Sequence, residues 1–96
     1  MNITLSPQRR DEALTVIKSG DTLTINGTAY DFSVVPDGAT LPKDATDCDW
    51  LASDVERIGG VLHLTLLLPH GADASEAARF PQPIISPADG ELELPK

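Results

Sequence analysis

The chain carries one cysteine, seven basic residues and no long apolar run, and each of these scarcities excludes something. Cys48 has no partner for an internal disulfide, and no Cys/His spacing resembles a zinc site, so a reducing interior suits the chain and no metal or cofactor is expected. Seven Lys and Arg stand against fifteen Asp and Glu, a net charge of −8. Residues 1–48 hold four basic and seven acidic groups and residues 49–96 hold three and eight, so no basic half hides behind the total. Nucleic acid and anionic membranes, both of which need several cations gathered against phosphates, are poor partners. The start, Met-Asn-Ile-Thr-Leu-Ser-Pro, lacks the apolar core of a signal peptide, and nothing approaches the ~18 apolar residues of a membrane span. The motifs of covalent chemistry are missing too. There is no glycine-rich phosphate loop, no Gly-x-Ser-x-Gly elbow and no catalytic carboxylate pair in a recognisable setting, so neither catalysis nor a small-molecule substrate is expected.

What is present reads as one β-rich domain over residues 1–96. Hydrophobic residues make up 41% and charged residues 23% of the chain, ordinary globular usage with enough apolar material for a single core. Residues 51–68 form the most apolar stretch, two strand-like runs joined by Gly59-Gly60, a dipeptide suited to a tight hairpin. Pairing Ile58 with Val61 sets Val55 opposite Leu64, Ser53 opposite Leu66 and Leu51 opposite Leu68 on an oily face, with Asp54, Glu56, His63 and Thr65 on a wet one. Residues 13–32 carry two further turn signals. Centring one on Ser19-Gly20 pairs Val16 with Leu23 and Leu14 with Ile25, and centring the next on Asn26-Gly27 pairs Ile25 with Thr28 and Leu23 with Tyr30. Leu14, Val16, Leu23, Ile25, Tyr30 and Phe32 then share one face of a three-stranded meander, with Ile17 the one large apolar residue opposite.

The expected fold is therefore all-β, a small antiparallel sandwich or partly open barrel in which the meander faces the long hairpin across one core. Residues 2–5 are expected to form a short edge strand, followed by a solvated turn at Arg9-Arg10-Asp11-Glu12. Pro42 and the acids after it suit a single helical turn, and Trp50 is placed to cap one end of the core. Asp73 and Glu76 suit a cap for a helical turn over residues 74–79, ended by Pro81. Short strands are expected at Ile84-Ile85 and in residues 91–94, around a Pro87-Ala88-Asp89-Gly90 turn.

The candidate sites each have a plain structural explanation. His63 falls opposite Glu56 and suits a cross-strand surface ion pair. His70, near Asp73, lacks a third ligand or a nucleophile and suits a loop hydrogen bond. Asp44, Asp47 and Asp49 lack the spacing and closing Glu of a calcium loop. Those same acids disfavour a thiolate at Cys48. The segment most suited to binding is residues 69–83, long for a connection in so small a domain. It holds His70, Asp73, Arg79 and Phe80, and it sets an arginine beside an aromatic of the kinds enriched in interface cores.

Taken in order, Leu5-Ser6-Pro7-Gln8-Arg9-Arg10, Asn26-Gly27 with Tyr30-Asp31-Phe32, Pro36-Asp37-Gly38-Ala39-Thr40-Leu41-Pro42, Leu51-Ala52-Ser53-Asp54-Val55-Glu56-Arg57-Ile58, Leu68-Pro69-His70-Gly71-Ala72 and Arg79-Phe80-Pro81 resemble a family of short phage and prophage proteins. That family is encoded among bacterial tail-module genes and has no assigned enzymatic activity. The resemblance implies a setting: structural or assembly work in the tail through contacts with tail proteins or with itself, in the host cytoplasm or in the virion. It transfers no catalytic residue. A second reading, a small acidic host-directed or regulatory binder, needs carboxylates gathered on one face, whereas here they are scattered over turns and both halves.

Overall fold

The computed structural model describes residues 1–10, 12–71, 81–85, 87–92 and 94. They form two sheets packed face to face, an all-β sandwich of nine strands with one short 3-10 turn at Lys43–Ala45. The first sheet runs in the order β5 (Thr40–Leu41), β6 (Val55–Ile58), β7 (Val61–His70), β1 (Asn2–Arg9), β8 (Ile84–Ile85). The second runs β4 (Thr28–Asp31), β3 (Thr22–Ile25), β2 (Val16–Ser19), β9 (Gly90–Glu91).

Alternation along the strands explains why the sheets face each other. Along β7, Leu62, Leu64, Leu66 and Leu68 are buried while the residues between them are half-buried on the outer face. Ile3 and Leu5 of β1, Val55 of β6 and Leu51 complete the inner face of the first sheet, and Val16, Leu23, Ile25, Phe32 and Leu92 meet them from the second. Trp50 and Cys48 join the same core, and Leu14 and Tyr30, expected inside, are half-buried against it. No polar or charged residue among those described is buried, so the core is held by apolar burial alone.

Two of the three expected turns form as read. Asn26 and Gly27 sit at φ 49° and 86°, and Gly59 and Gly60 at 59° and 80°, the doubly positive geometry of a tight two-residue hairpin. Ile25 pairs with Thr28 and Ile58 with Val61 accordingly. The third turn is centred on Gly20-Asp21 rather than Ser19-Gly20, so Val16 pairs with Ile25 and Lys18 with Leu23. With the glycine at φ 59° in the first central position, no side chain has to enter the left-handed region. The slip is of two residues and leaves every side chain on its expected face. Asn26 also substitutes for the pairs that Leu14 was expected to make. Its Oδ1 accepts from the Thr15 N–H at 2.8 Å and its Nδ2 donates to the Ala13 carbonyl at 3.1 Å, tying that segment alongside the turn.

The long hairpin also slips by two residues beyond Val55. Leu51 bridges Leu66, not Leu68, and Ser53 does not face Leu66. Residues 52–54 bulge opposite Thr65, whose N–H is taken by the Ser53 hydroxyl at 3.0 Å, while the Asp54 carboxylate accepts from the Lys43 N–H at 2.8 Å.

The N-terminal segment departs furthest from expectation. β1 is eight residues long, not a short edge strand, and it lies between β7 and β8 with a parallel pairing to β7 from Asn2 opposite His63 to Arg9 opposite His70. The first sheet is thus mixed. Pro7 fits inside this strand because β8 pairs only Asn2 and Ile3, which frees one flank of β1 at Pro7 from donating to β8. Arg9 and Arg10 consequently belong to the strand and its exit, where the Arg10 N–H donates to the His70 carbonyl.

Arg57 faces inward from β6 and joins both sheets to the connection between them. Its Nε donates to the Val35 carbonyl at 2.6 Å, Nη1 to the Gly60 carbonyl at 3.3 Å, and Nη2 to the Asp21 carboxylate at 2.9 Å and the Phe32 carbonyl at 3.4 Å. Its backbone pairs with Gly38 and Ala39 as well.

Two expectations follow from this packing. Leu64→Ala removes a side chain buried at the centre of the first sheet and should cost about 2–5 kcal/mol by denaturant titration; a loss under about half a kcal/mol would contradict the assigned inner face. Arg57→Met keeps the stem but strands three carbonyls, and should cost about 2–3 kcal/mol, more than Asp21→Asn, whose carboxylate is partly solvated. Equal losses from the two substitutions would show that the ion pair, not the carbonyl contacts, carries the effect.

Candidate functional site

The outer face of the first sheet is the best-defined polar surface among the described residues. Alternation puts Asn2 and Thr4 of β1, Glu56 of β6 and His63 and Thr65 of β7 on this side, and the bulge adds Ser53. Together they line an open depression of about 340 Å³. Glu56 lies directly opposite His63 in the ladder, as expected, yet no ion pair joins them; the ion pairs among the described residues are Arg10–Glu12, Lys18–Asp89 and Arg57–Asp21. The depression is wide and wet. A site that binds a small molecule tightly is usually a concave, mostly apolar pocket with a few polar groups, whereas this surface offers scattered, partly exposed hydrogen-bonding groups in an open depression.

His70 ends β7 half-buried, with Nδ1 3.0 Å from the Gly71 carbonyl oxygen, the loop hydrogen bond expected of it. Asp73, Arg79 and Phe80, and the helical turn expected over residues 74–79, lie outside the described residues. What is described is the root of that segment. His70 is held by Arg9 and Arg10 at one end of β1, and the chain re-enters through Ile84 and Ile85, which pair with Ile3 and Asn2 at the other.

The acids Asp44, Asp47 and Asp49 surround a second shallow depression, of about 270 Å³, with Lys43 and Cys48. Among the described residues no group of three or more His, Cys, Asp or Glu converges as a metal site would require. Cys48 is buried beneath its acidic neighbours and forms part of the core. Its effect is felt by Tyr30: partial burial chiefly, then a hydrogen bond with Cys48 and the nearby charges of Asp49 and Asp47, push the Tyr30 phenol above its ordinary value.

Three basic side chains, Arg10, Lys18 and Arg57, act as tethers. The Arg10 guanidinium lies over the Trp50 ring, 4.4 Å from its centroid, and pairs with Glu12. The Lys18 ammonium meets Asp89 at 2.7 Å, and the same carboxylate oxygen accepts from the Gly20 N–H at 3.1 Å, fastening the turn before β9 to the first hairpin. The signal for Arg57 was available in its parity with Val55, since an arginine on an oily face must find acceptors. Nothing local marked Lys18 and Asp89 as partners across seventy-one residues.

Compared with family models, with curated proteins and with solved structures, the chain matches none. No described helix is long and apolar enough to cross a membrane.

The Asp89 tether gives a pH dependence. Hydrogen bonds from Lys18 and the Gly20 N–H hold the Asp89 carboxyl below its ordinary value of 3.8. A carboxyl lowered by folding stabilises the folded state above its unfolded value, and that contribution is lost as pH falls through the lower folded one. The melting temperature of the wild type should therefore exceed that of Asp89→Asn by a constant margin from about pH 7 to about pH 5, and the margin should shrink below about pH 4. A margin that grows on acidification would overturn the assignment.

Proposed function

We propose that this protein works through protein–protein contacts, without catalysing a reaction, as a structural or assembly component of a phage tail module in a bacterial host. The observation that carries the reading is the anchoring of residues 71–83 at both ends to one strand. His70 is fixed against Arg9 and Arg10, and Ile84 and Ile85 against Ile3 and Asn2, so the connection is mounted on a parallel strand pair in the middle of a sheet. Long connections held by rigid strands are common binding elements, because the frame limits the order that must be gained on docking. The tail setting comes from the resemblance of the chain's ordered segments to the tail-module family, and His70, Asp73, Arg79 and Phe80 are the residues assigned to the contact. Host cytoplasm, with later incorporation into the tail, is the location this role requires.

Co-sedimentation with purified tail particles tests the reading. The wild type should pellet with the particles. A variant with both Arg79→Ala and Phe80→Ala should keep nearly the parent's melting temperature and stay in the supernatant. A drop of several degrees, as about 1 kcal/mol produces in a domain this size, would make Phe80 a cover of the core instead. Wild-type protein that stays in the supernatant would overturn the tail setting.

A further inference from the structure

Exposed sheet edges offer unpaired backbone groups, and three of the four edges formed by the described residues are blunted. β5, β8 and β9 are two residues long, and Pro42 follows the first directly, Pro83 precedes the second directly and Pro87 lies shortly before the third. β4 is different. It runs four residues, Thr28-Ala29-Tyr30-Asp31, with neither proline nor lysine, at the edge of the second sheet.

Hairpin geometry fixes which of its backbone groups are open. In a two-residue hairpin the pair flanking the turn, Ile25 and Thr28, exchanges hydrogen bonds, and such pairs then recur at every second position. Leu23 with Tyr30 follows, and the Phe32 N–H donating to the Asp21 carbonyl at 3.0 Å continues the alternation. The N–H and C=O of Ala29 and Asp31 consequently point away from β3. Those four groups are self-complementary under a two-fold rotation about Tyr30. Laid antiparallel on a second β4, Ala29 of each copy exchanges both hydrogen bonds with Asp31 of the other, and Tyr30 faces its own counterpart.

We propose that β4 is a self-association edge, through which two copies of this chain join their four-stranded sheets into one continuous eight-stranded sheet. The side chains suit this register. Ala29 on the outer face sits opposite Asp31 of the second copy, so no two like charges are placed directly across from each other, and the Asp31 carboxylate is already occupied by the Ser33 N–H at 2.9 Å. On the inner face the half-buried Tyr30 rings meet at a non-hydrogen-bonded pair, where side chains approach closest. A net charge of −8 on each copy opposes the encounter and a four-residue edge is short, so the dimer is weak, with a dissociation constant on the order of 0.1 mM. The competing occupant is a basic extended peptide, which the acidic surface would attract. Salt separates the two, because screening strengthens association of like-charged copies and weakens binding of a basic peptide.

Sedimentation equilibrium of the intact protein, up to about 1 mM, reads the outcome. The wild type should show a monomer–dimer equilibrium that tightens from about 50 mM to about 500 mM salt. Ala29→Pro deletes only an outward N–H and should be monomeric with its melting temperature kept. Ala29→Lys sets an ammonium opposite Asp31 at two symmetric places and should tighten the dimer roughly tenfold, and Ala29→Asp should weaken it about as much. Gln8→Lys makes the same charge change on the other sheet and should leave the constant within about twofold. A wild type that is monomeric throughout, a dimer untouched by Ala29→Pro, or a Gln8→Lys effect as large as that of Ala29→Lys would each overturn the proposal.

Discussion

Arg57 lies on the core-facing side of β6, where a guanidinium loses most of its water, and three separate parts of the chain return what the water supplied. The Val35 and Phe32 carbonyls come from the connection after the meander, the Gly60 carbonyl from the hairpin turn, and the Asp21 carboxylate from the turn between β2 and β3. A lysine ammonium could not meet acceptors in so many directions, because the contacts use the fixed fork of the guanidinium. The arrangement contributes little net stability by itself, since desolvation offsets most of the attraction, but losing any acceptor leaves a half-buried charge short of partners. It therefore acts as a condition on the fold: the two sheets and the segment between them must all be in place together.

The parallel pairing of β1 with β7 imposes a second condition, on order of assembly. Each hairpin closes locally across a two-residue turn, whereas β1 takes its place only against residues 61 and beyond, far along the chain. Its partners on both sides come from the second half of the chain, so β1 is the strand of the first sheet with the longest closure. Ile3 and Leu5 then seal the core between Leu64 and Leu66 on one side and the short β8 on the other.

These two conditions explain what could be read in the sequence. Turn chemistry and alternation made the meander, the hairpin and their inner faces legible, and they gave a sandwich. Both register errors, at Gly20 and beyond Val55, are slips by two residues. A period-two pattern cannot detect such a slip, because every side chain keeps its face. What decided them was detail outside the pattern: the preference for a glycine at the first turn position, and the ability of the Ser53 hydroxyl to take the Thr65 N–H in place of a strand partner. The length of β1 was hidden for a different reason. Ser6-Pro7 reads as a strand end, and a proline is admitted there only because one flank of β1 is free of β8, a fact about the neighbours and not about the segment.

The polar residues were less legible than the core because their partners are remote. His63 and Glu56 came out opposite each other, as local register required, yet the side chains that fasten the structure pair across long separations. Two of the seven basic groups, Lys18 and Arg57, are spent in this way on ion pairs that bind distant segments, and a third, Arg10, reaches across the chain to the Trp50 ring. With these cations drawn in as tethers, carboxylates outnumber cations on the surface and repel other copies and other acidic proteins at long range. An acidic surface of this kind discourages indiscriminate association. Contacts that do form must then depend on what charge does not supply: the register of open backbone groups and the fit of a few aromatic and aliphatic side chains held on a rigid frame.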